Sequence, residues 1–353
     1  MPDAHPIDLR SDTVTHPTPA MREAMMSAPL GDDVLGDDPT VKELERVFAE
    51  LVGTEDACYV ASGTMANQTA IRAHTEPGDE LIADATCHIS HYETGAPAAL
   101  SGVQIRFVDG ERGIYTPEQM TAVIRGEADY LPRTRLVWLE NTCNGGGGSV
   151  WALERVRAVG EAARARGLRV HLDGARLWHA AIANGGASGW RQSMREYVGA
   201  VDSVSCCFSK GLGCPAGSIV GGNAEVIHRV RRFKKMFGGS MRQAGLLAGA
   251  CLYAMEHHVE RLVEDHAKAK LIAEGVHGVG PYSVDLAGVV TNIVNVRVDP
   301  GFCSGPELQD RLEAAGVRLF ALSNEAVRVV THLDVSLEQC ERAVGVFREV
   351  AGG

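Results

Sequence analysis

Short apolar segments, each ending in polar residues and followed by a helical pattern, recur along the first two thirds of this chain. The strand candidates are residues 58–61, 79–84, 135–139, 170–172 and 203–208. Parallel strands need helical crossovers, and ligands bind at the carboxyl ends of such strands. The repeated order therefore predicts an α/β fold with a mostly parallel, doubly wound sheet and a crevice at one edge.

A second domain is expected because 353 residues usually exceed a single hydrophobic core. We predict a large domain over residues 1–250, including an N-terminal arm, and a smaller C-terminal α+β domain over residues 251–353. One long helix, about Gln243 to Glu274, is expected to connect them. Strands near residues 293–298 and 326–330 would form the smaller sheet.

Charge and composition narrow the class of partner. The formal charge of −11 argues against nucleic acid, because affinity for phosphate backbones comes mainly from Lys and Arg. No stretch approaches the roughly 18 apolar residues of a membrane span, and no secretory leader is recognisable. Nine cysteines without a C-x-x-C pair suit free thiols in a reducing compartment. We therefore expect a cytoplasmic protein that binds a small molecule.

The first candidate catalytic residue is Lys210, which lies between two strand candidates in a turn containing Gly211, Gly213 and Pro215. Small neighbours leave room for a flat ligand, and a partly desolvated ammonium group loses basicity and becomes a nucleophile toward carbonyls. An ordinary loop lysine is the alternative for this short motif.

Asp173 favours the catalytic interpretation, because it ends an upstream strand candidate, Val170 to Leu172. A lysine and an aspartate at neighbouring strand ends are the pair that pyridoxal phosphate (PLP) requires. The lysine forms a Schiff base with the cofactor, and the aspartate keeps the pyridine nitrogen protonated. The two residues predict PLP as the cofactor.

Other polar positions could complete such a site. Gly63 and Thr64 begin a predicted helix, whose free N–H groups can bind phosphate. His88 could stack on a flat cofactor or cap a polar helix. Lys235 and Arg242 flank a glycine turn that suits a phosphate contact.

Arg328 lies among valines and needs an anion to pair with.

No metal is predicted. The acidic segment at residues 31–40 lacks the ligand alternation of a calcium loop, and Asp38 with Pro39 explains it as a helix start. His88 and His91 have no evident third ligand.

Nine segments together resemble the low-specificity L-threonine aldolases, PLP enzymes of fold type I in the beta-eliminating lyase/threonine aldolase superfamily. These segments are IDLRSDTVT, GDDVLGDDPT, ASGTMAN, CHISHYETG, ENTCN, HLDGAR, SKGLGCPAGS, GGSMRQ and VRVVTHLD. They occur in the family's order from Ile7 to Asp334. The resemblance implies that Lys210 holds PLP, Asp173 pairs with the pyridine nitrogen and His88 stacks on the ring.

The resemblance also implies the remaining site. The residues near the phosphate would be Gly63, Thr64, Lys235 and Arg242. Those near the substrate carboxylate would be Ser11, Arg176 and Arg328, with Arg176 also beside the cofactor. Members of the family are homotetramers, dimers of dimers with shared active sites, so some contacts would come from a neighbouring subunit.

Two positions depart from the family pattern. Cys143 replaces a histidine that faces the substrate hydroxyl, and Leu35 replaces a tyrosine at the active-site entrance. A thiol is a weaker hydrogen-bond partner than imidazole, and leucine makes the entrance more apolar. We expect a larger or less polar β-substituent than that of threonine. The alternative is that His88 and water suffice for the reaction and that both changes are neutral.

The activity expected from the resemblance is retro-aldol cleavage of a β-hydroxy-α-amino acid to glycine and an aldehyde, with His88 taking the hydroxyl proton. β-Elimination or aldol transfer at the same carbons is the alternative. A nucleotide-binding oxidoreductase is disfavoured, because Pro215 and a strand follow the glycines where a dinucleotide fingerprint requires a helix. A non-catalytic PLP-binding protein is the third possibility.

Overall fold

A computed structural model describes residues 6–352 of the chain. Residues 1–5 and 353, which the two predicted domains include, lie outside the described residues. The strands are β1 (Ile7–Asp8), β2 (Asp56–Val60), β3 (Glu80–Asp84), β4 (Gln104–Val108), β5 (Thr134–Glu140), β6 (Arg169–Gly174), β7 (Ser203–Cys207), β8 (Ser218–Gly222), β9 (Tyr282–Ser283), β10 (Ile293–Val298), β11 (Val317–Arg318), β12 (Phe320–Ser323) and β13 (Ala326–Val330).

The α-helices of the same region alternate with these strands in the first two thirds of the chain. They are α1 (Pro19–Ser27), α2 (Pro39–Val52), α3 (Gly63–His74), α4 (His88–His91), α5 (Pro117–Ala122), α6 (Leu153–Arg164), α7 (Leu177–Val198), α8 (Ala224–Met236), α9 (Gly245–His257), α10 (Leu262–Val276), α11 (Gly305–Ala314) and α12 (Leu337–Gly352). Every described helix is too short or too polar to cross a lipid bilayer.

The large sheet has seven strands in the order β2-β8-β7-β6-β5-β3-β4. Only β8 runs against its neighbours, so the other six strands share one direction. Strands β3, β7 and β8 are buried along their whole length, as expected where helices cover both faces. The predicted α/β class with a mostly parallel sheet is confirmed, and the parallel strands present their carboxyl ends at one edge.

The smaller sheet is antiparallel, in the order β12-β13-β10-β9. It shares a hydrophobic core with α10, α11 and α12. The N-terminal arm reaches this part of the fold, because β1 pairs with β11 and both Ile7 and Leu9 lie in the smaller core. Cys251, Ala254 and Leu262 lie in the core of the large sheet. The division at residue 250 stays a prediction.

The predicted long helix at residues 243–274 is wrong, because the chain turns between α9 and α10. Helix α9 packs against α1 and α2 of the larger part, whereas α10 packs against α12 and β10 of the smaller part and also against α7. Between the two helices, His258 hydrogen-bonds through Nδ1 to the carbonyl of Leu212 at 2.8 Å.

The start of α2 confirms the prediction for Asp38 and Pro39. The Asp38 carboxylate accepts hydrogen bonds from the N–H groups of Thr40 and Val41, and Pro39 occupies the first turn. Asp38 also accepts from the backbone of Gly245, so the same carboxylate fixes the start of α9. Among residues 6–352, no group of three or more histidine, cysteine or acidic side chains is placed to hold a metal ion.

Candidate active site

A cavity of about 150 Å³ opens at the carboxyl edge of the large sheet. It brings together six of the residues that the sequence singled out: Gly63, Thr64, His88, Asp173, Arg176 and Lys210. The rest of its lining consists of Ser62, Asn67, Glu140, Thr142, Asn144, Ala175, Cys207 and Ser209. These residues lie at the carboxyl ends of β2, β3, β5, β6 and β7 or in the segments that follow those strands.

Lys210 lies in the turn after β7 and is half-buried. Its carbonyl accepts a hydrogen bond from the N–H of Gly213, whose φ of +76° favours glycine. A side chain at Gly211 would lie 2.3 Å from Nε2 of His179, so the backbone after the lysine must pass close to α7. The glycines therefore fix where Lys210 enters the cavity.

Asp173 lies near the end of β6 and is almost completely buried. Its Oδ1 accepts from the N–H of Ala175 at 3.0 Å, and its Oδ2 accepts from Nδ2 of Asn67 at 2.8 Å. Burial raises the pKa of Asp173 above its ordinary value, although the charges of His88 and Lys210 act against that shift. A cationic group in the cavity would favour the ionised carboxylate.

Glu93 holds two residues of the cavity wall. Its fully buried carboxylate hydrogen-bonds to Nδ1 of His88 and to Nδ2 of Asn67, each at 2.8 Å. Burial lowers the pKa of His88, but the hydrogen bond to Glu93 and the charge of Asp173 outweigh it and raise that pKa. Glu93 thus fixes the orientation of the imidazole and makes it a stronger base.

Glu140, the last residue of β5, connects two loops of the cavity. Its carboxylate accepts from the N–H of His88 and from the N–H of Asn144, both at 2.7 Å. Burial, reinforced by the charge of Asp173, raises the pKa of Glu140 to about 7. The Glu140 carboxylate therefore fixes both the start of α4 and the loop around Asn144.

Arg176 has a buried partner that the sequence did not reveal. Its Nη2 and Nε donate to the two oxygens of Asp12 at 2.7 and 2.8 Å. Although burial acts in the opposite direction, Arg176 holds the pKa of Asp12 well below its usual range. The neighbouring Ser11 does not line the cavity; its Oγ accepts from the N–H of Thr13 and caps a short helical turn.

Arg328 reaches the cavity through Asn144. Its Nη1 donates to the side-chain oxygen of Asn144 at 3.0 Å, and Nη1 of Arg176 lies 3.4 Å from that oxygen. The Nε of Arg328 is buried and has no hydrogen-bond partner among the described residues. Burial and the charge of Arg176 lower the pKa of Arg328. The two guanidinium groups form a site that an anion would complete.

Gly63 lies at the start of α3, where Oγ of Ser62 accepts from the N–H of Met65. A Cβ atom at Gly63 would be 2.8 Å from Sγ of Cys207 on β7. Only glycine lets this turn lie so close to the sheet. The N–H groups of Gly63 and Thr64 precede the capped N–H of Met65 and can bind an anion, so this end of the cavity fits a phosphate group.

Comparison with known proteins identifies the family. The beta-eliminating lyase model matches residues 8–299. The chain belongs to the beta-eliminating lyase family. It is 38% identical to low-specificity L-threonine aldolase 1 of Arabidopsis thaliana, over 97% of this chain and 96% of that one. It is 41% identical to the low specificity L-threonine aldolase of Escherichia coli O157:H7, over 97% and 98%.

The fold agrees with that of a solved structure. Leishmania major threonine aldolase superposes with a TM-score of 0.82 at 18% identity, covering 98% of this chain and all of that one. The family model and the two sequence relatives confirm the resemblance predicted from the sequence motifs.

Leu35, Lys235 and Arg242 lie away from the cavity of this beta-eliminating lyase. Leu35 and Lys235 line a separate surface pocket of about 520 Å³. Leu35 is 71% exposed there. Arg242 pairs with Asp32 at 2.9 Å. Within one chain, the expected phosphate contacts of Lys235 and Arg242 are not formed.

Cys143 also lies outside the cavity, in contrast to the expectation that it faces the substrate hydroxyl. It is 2% exposed, and its Sγ donates to the carbonyl of Glu140 at 2.9 Å. Sγ also approaches the carbonyl of Gly113 at 3.5 Å. Burial, reinforced by the charge of Glu140, raises the pKa of this thiol. Cys143 packs beneath the loop whose neighbouring residues, Thr142 and Asn144, line the cavity.

Proposed function

We propose that this protein is a PLP-dependent lyase that cleaves a β-hydroxy-α-amino acid to glycine and an aldehyde. The observation that carries the proposal is the convergence of Lys210 and the buried Asp173 on one cavity with the Gly63 turn. The names of the Arabidopsis and Escherichia coli relatives support threonine-like substrates.

The cavity has a suitable group for each part of PLP. Lys210 offers the amine for the aldehyde carbon, and Asp173 the carboxylate for the pyridine nitrogen. The free N–H groups at Gly63 and Thr64 suit the phosphate, and the His88 ring suits a flat stacking partner. When bound, PLP supplies an electron sink for a bond broken at the substrate's α-carbon.

The residues around Asn144 suit the substrate carboxylate. Arg328 has a buried Nε without a partner among residues 6–352, and its Nη1 is already oriented by Asn144. Fixing the carboxylate there would orient the bond to be broken. His88, held by Glu93, would take the proton of the β-hydroxyl group directly or through a water.

We further infer a homotetramer with shared active sites. Leu35 and Lys235 line one surface pocket of the chain. They could serve the cavity of a partner subunit, and Arg242 nearby could do the same. The particle mass in solution tests the tetramer. Mixing Lys210→Ala with Lys235→Ala subunits should restore activity only if the sites are shared.

A cytoplasmic location and an enlarged substrate range complete the proposal. All nine cysteines are free and buried, which suits a reducing compartment. The exposed Leu35 would make a shared entrance more apolar and favour a bulkier β-substituent than that of threonine. Comparing kcat/KM for threonine and a bulkier analogue in wild type and Leu35→Tyr tests this preference.

The central experiment is borohydride reduction of the purified protein followed by peptide mapping. The cofactor label should be found on Lys210, and Lys210→Ala should abolish turnover while leaving the fold intact. A panel of β-hydroxy amino acids should yield glycine and an aldehyde. Pyruvate and ammonia would instead identify β-elimination, and label on another lysine would refute the assignment.

A further inference from the structure

Five buried side chains form a continuous hydrogen-bonded row between α3 and the large sheet, which we call the histidine–serine array: His74, Ser203, His171, Ser205 and Asn67. Successive polar atoms are separated by 2.7 Å between His74 and Ser203, 2.7 Å between Ser203 and His171, 3.3 Å between His171 and Ser205, and 3.2 Å between Ser205 and Asn67. The array extends from the end of α3 to the wall of the cavity.

The array follows directly from the secondary structure. His171 pairs with Ser203 and Asp173 with Ser205 across β6 and β7, and alternate residues of a strand face the same side. Asn67 and His74 are seven residues apart, about two helical turns, and so share one face of α3. The ring of His171 also packs against Trp138, with centroids 4.5 Å apart and the ring planes tilted by 30°, which restricts its rotation.

The carboxylates at one end set the direction of every hydrogen bond. Glu93 and Asp173 can only accept when ionised, so the Asn67 side chain must direct its NH₂ group toward both, each at 2.8 Å. Its oxygen is then left to accept, and the hydroxyl proton of Ser205 points toward Asn67.

The direction continues through both histidines. Since Ser205 donates to Asn67, its oxygen accepts from Nε2–H of His171. Nδ1 of His171 is then unprotonated and accepts from Ser203, which in turn accepts from Nε2–H of His74. Burial lowers the pKa of His74 to about 4 and that of His171 well below its ordinary value, so both rings are neutral, as this arrangement requires.

We propose that His171 is a positioning residue that acts through Ser205 and Asn67 to hold Asp173 as an oriented acceptor for the pyridine nitrogen of PLP. The inference rests on the proposed function, in which Asp173 faces that nitrogen. One N–H of Asn67 stabilises the Asp173 carboxylate, and the array prevents the amide from turning its oxygen toward it.

The first test removes one hydroxyl group. Ser205→Ala should weaken the affinity of the apoenzyme for PLP on the order of 3- to 10-fold, the usual effect of one lost hydrogen bond. The ¹⁵N shift of ring-labelled PLP should move toward that of the unprotonated pyridine. Ser193→Ala is the matched control, because Ser193 is a buried serine that accepts a hydrogen bond from Asn184 within α7 and is not part of the array; it should change neither quantity.

The second test addresses His171 itself. His171→Gln can still donate an N–H toward Ser205 and should retain PLP affinity within about 3-fold, whereas His171→Leu should behave like Ser205→Ala. If the leucine variant does not fold, ¹⁵N spectra of the wild-type apoenzyme decide. Both histidines should carry their proton on Nε2 at pH 6–8, and a charged or Nδ1-protonated His171 would refute the array.

The outcomes separate the two proposals. A wild-type protein that fails to bind PLP at Lys210 overturns the proposed function, and with it the role of the array. Normal PLP binding by wild type with unchanged affinity and ¹⁵N shift in Ser205→Ala leaves the proposed function intact and overturns the role of His171 alone.

Discussion

Arg176 and Arg328 both reach the side-chain oxygen of Asn144, but their other partners differ. Arg176 is paired through two hydrogen bonds with the fully buried Asp12. Arg328 has no acidic partner among the hydrogen bonds described for it and bonds instead to Asn144 and the carbonyl of Arg10. Removing Arg176 would therefore leave the buried charge of Asp12 without a partner, whereas removing Arg328 would take away a group that can bind an anion.

Arg176→Ala should therefore act first on stability. An unpaired carboxylate in a buried position costs about 3–5 kcal/mol, so urea unfolding of the apoenzyme should show a loss of that order. Arg46→Ala is the control, because the pairs of Arg46 with Glu43 and Glu50 are exposed, and their loss should cost less than about 1 kcal/mol. Equal losses in both variants would contradict a structural role for the Arg176–Asp12 pair.

Arg328→Ala should instead raise KM for the amino-acid substrate while leaving stability and PLP affinity nearly unchanged. A charge-assisted hydrogen bond to a carboxylate contributes about 1.5–3 kcal/mol, so KM should rise on the order of 10- to 100-fold. An unchanged KM would show that the unpaired Nε of Arg328 does not serve the substrate.

The sequence could predict the site residues that end strands, but not those that come from elsewhere. Lys210 and Asp173 were recognisable because polar residues at strand ends meet at one edge of a parallel sheet. Asp12 and Glu93 were missed because their partners are distant in sequence. Arg176 is 164 residues from Asp12, and Asn67 is 26 residues from Glu93. The position of Cys143 also depends on packing against Gly113, which no spacing reveals.

The turn between β2 and α3 shows how one glycine can connect two elements. Gly63 touches Cys207 of β7, so the first turn of α3 lies directly against the sheet. Gly63→Ala should push this turn away and weaken PLP affinity about tenfold or more, because the phosphate would lose well-placed N–H donors. Fluorescence titration of the apoenzyme measures the change.

Cys207→Ala provides a stringent control for that prediction. Removing Sγ eliminates the atom that an added methyl group would meet at 2.8 Å. The double variant Gly63→Ala/Cys207→Ala should regain most of the lost affinity, and Cys207→Ala alone should change it little. A double variant as weak as Gly63→Ala would indicate that the glycine is needed for some other reason.

Secondary structure was predictable where the apolar pattern is strong. The expected strands at residues 293–298 and 326–330 agree with β10 and β13, both of which pack into the smaller core. Strand β4 was missed because it forms the edge of the large sheet and exposes Gln104, Arg106 and Phe107. The interruption between α9 and α10 involves a tertiary contact, the hydrogen bond between His258 and the carbonyl of Leu212, which a local pattern does not contain.

The whole molecule buries several histidines in neutral form. Burial lowers the pKa of both His74 and His266 to about 4 and lowers those of His171 and His179 as well. Between pH 4 and 6.5 the unfolded chain binds more protons at these groups than the folded one. Their contribution therefore makes stability fall as pH decreases through this range. Glu140 acts in the opposite direction, since its raised pKa makes the folded state bind a proton more tightly below about pH 7.

Replacing one of these histidines isolates its share of the acid sensitivity. His266→Gln can keep the hydrogen bond that Nε2 of His266 makes with Nδ1 of His179 at 3.0 Å, but it cannot titrate. Relative to wild type, the variant should gain about 1–3 kcal/mol in unfolding free energy as pH falls from 6.5 to 4, because a full pKa unit is worth about 1.4 kcal/mol. Urea unfolding of the two apoenzymes at several pH values measures this difference. The contributions of Glu140 and the other titrating groups are the same in both proteins and drop out of the difference. A difference that stays constant over this range would mean that His266 is not held neutral by burial.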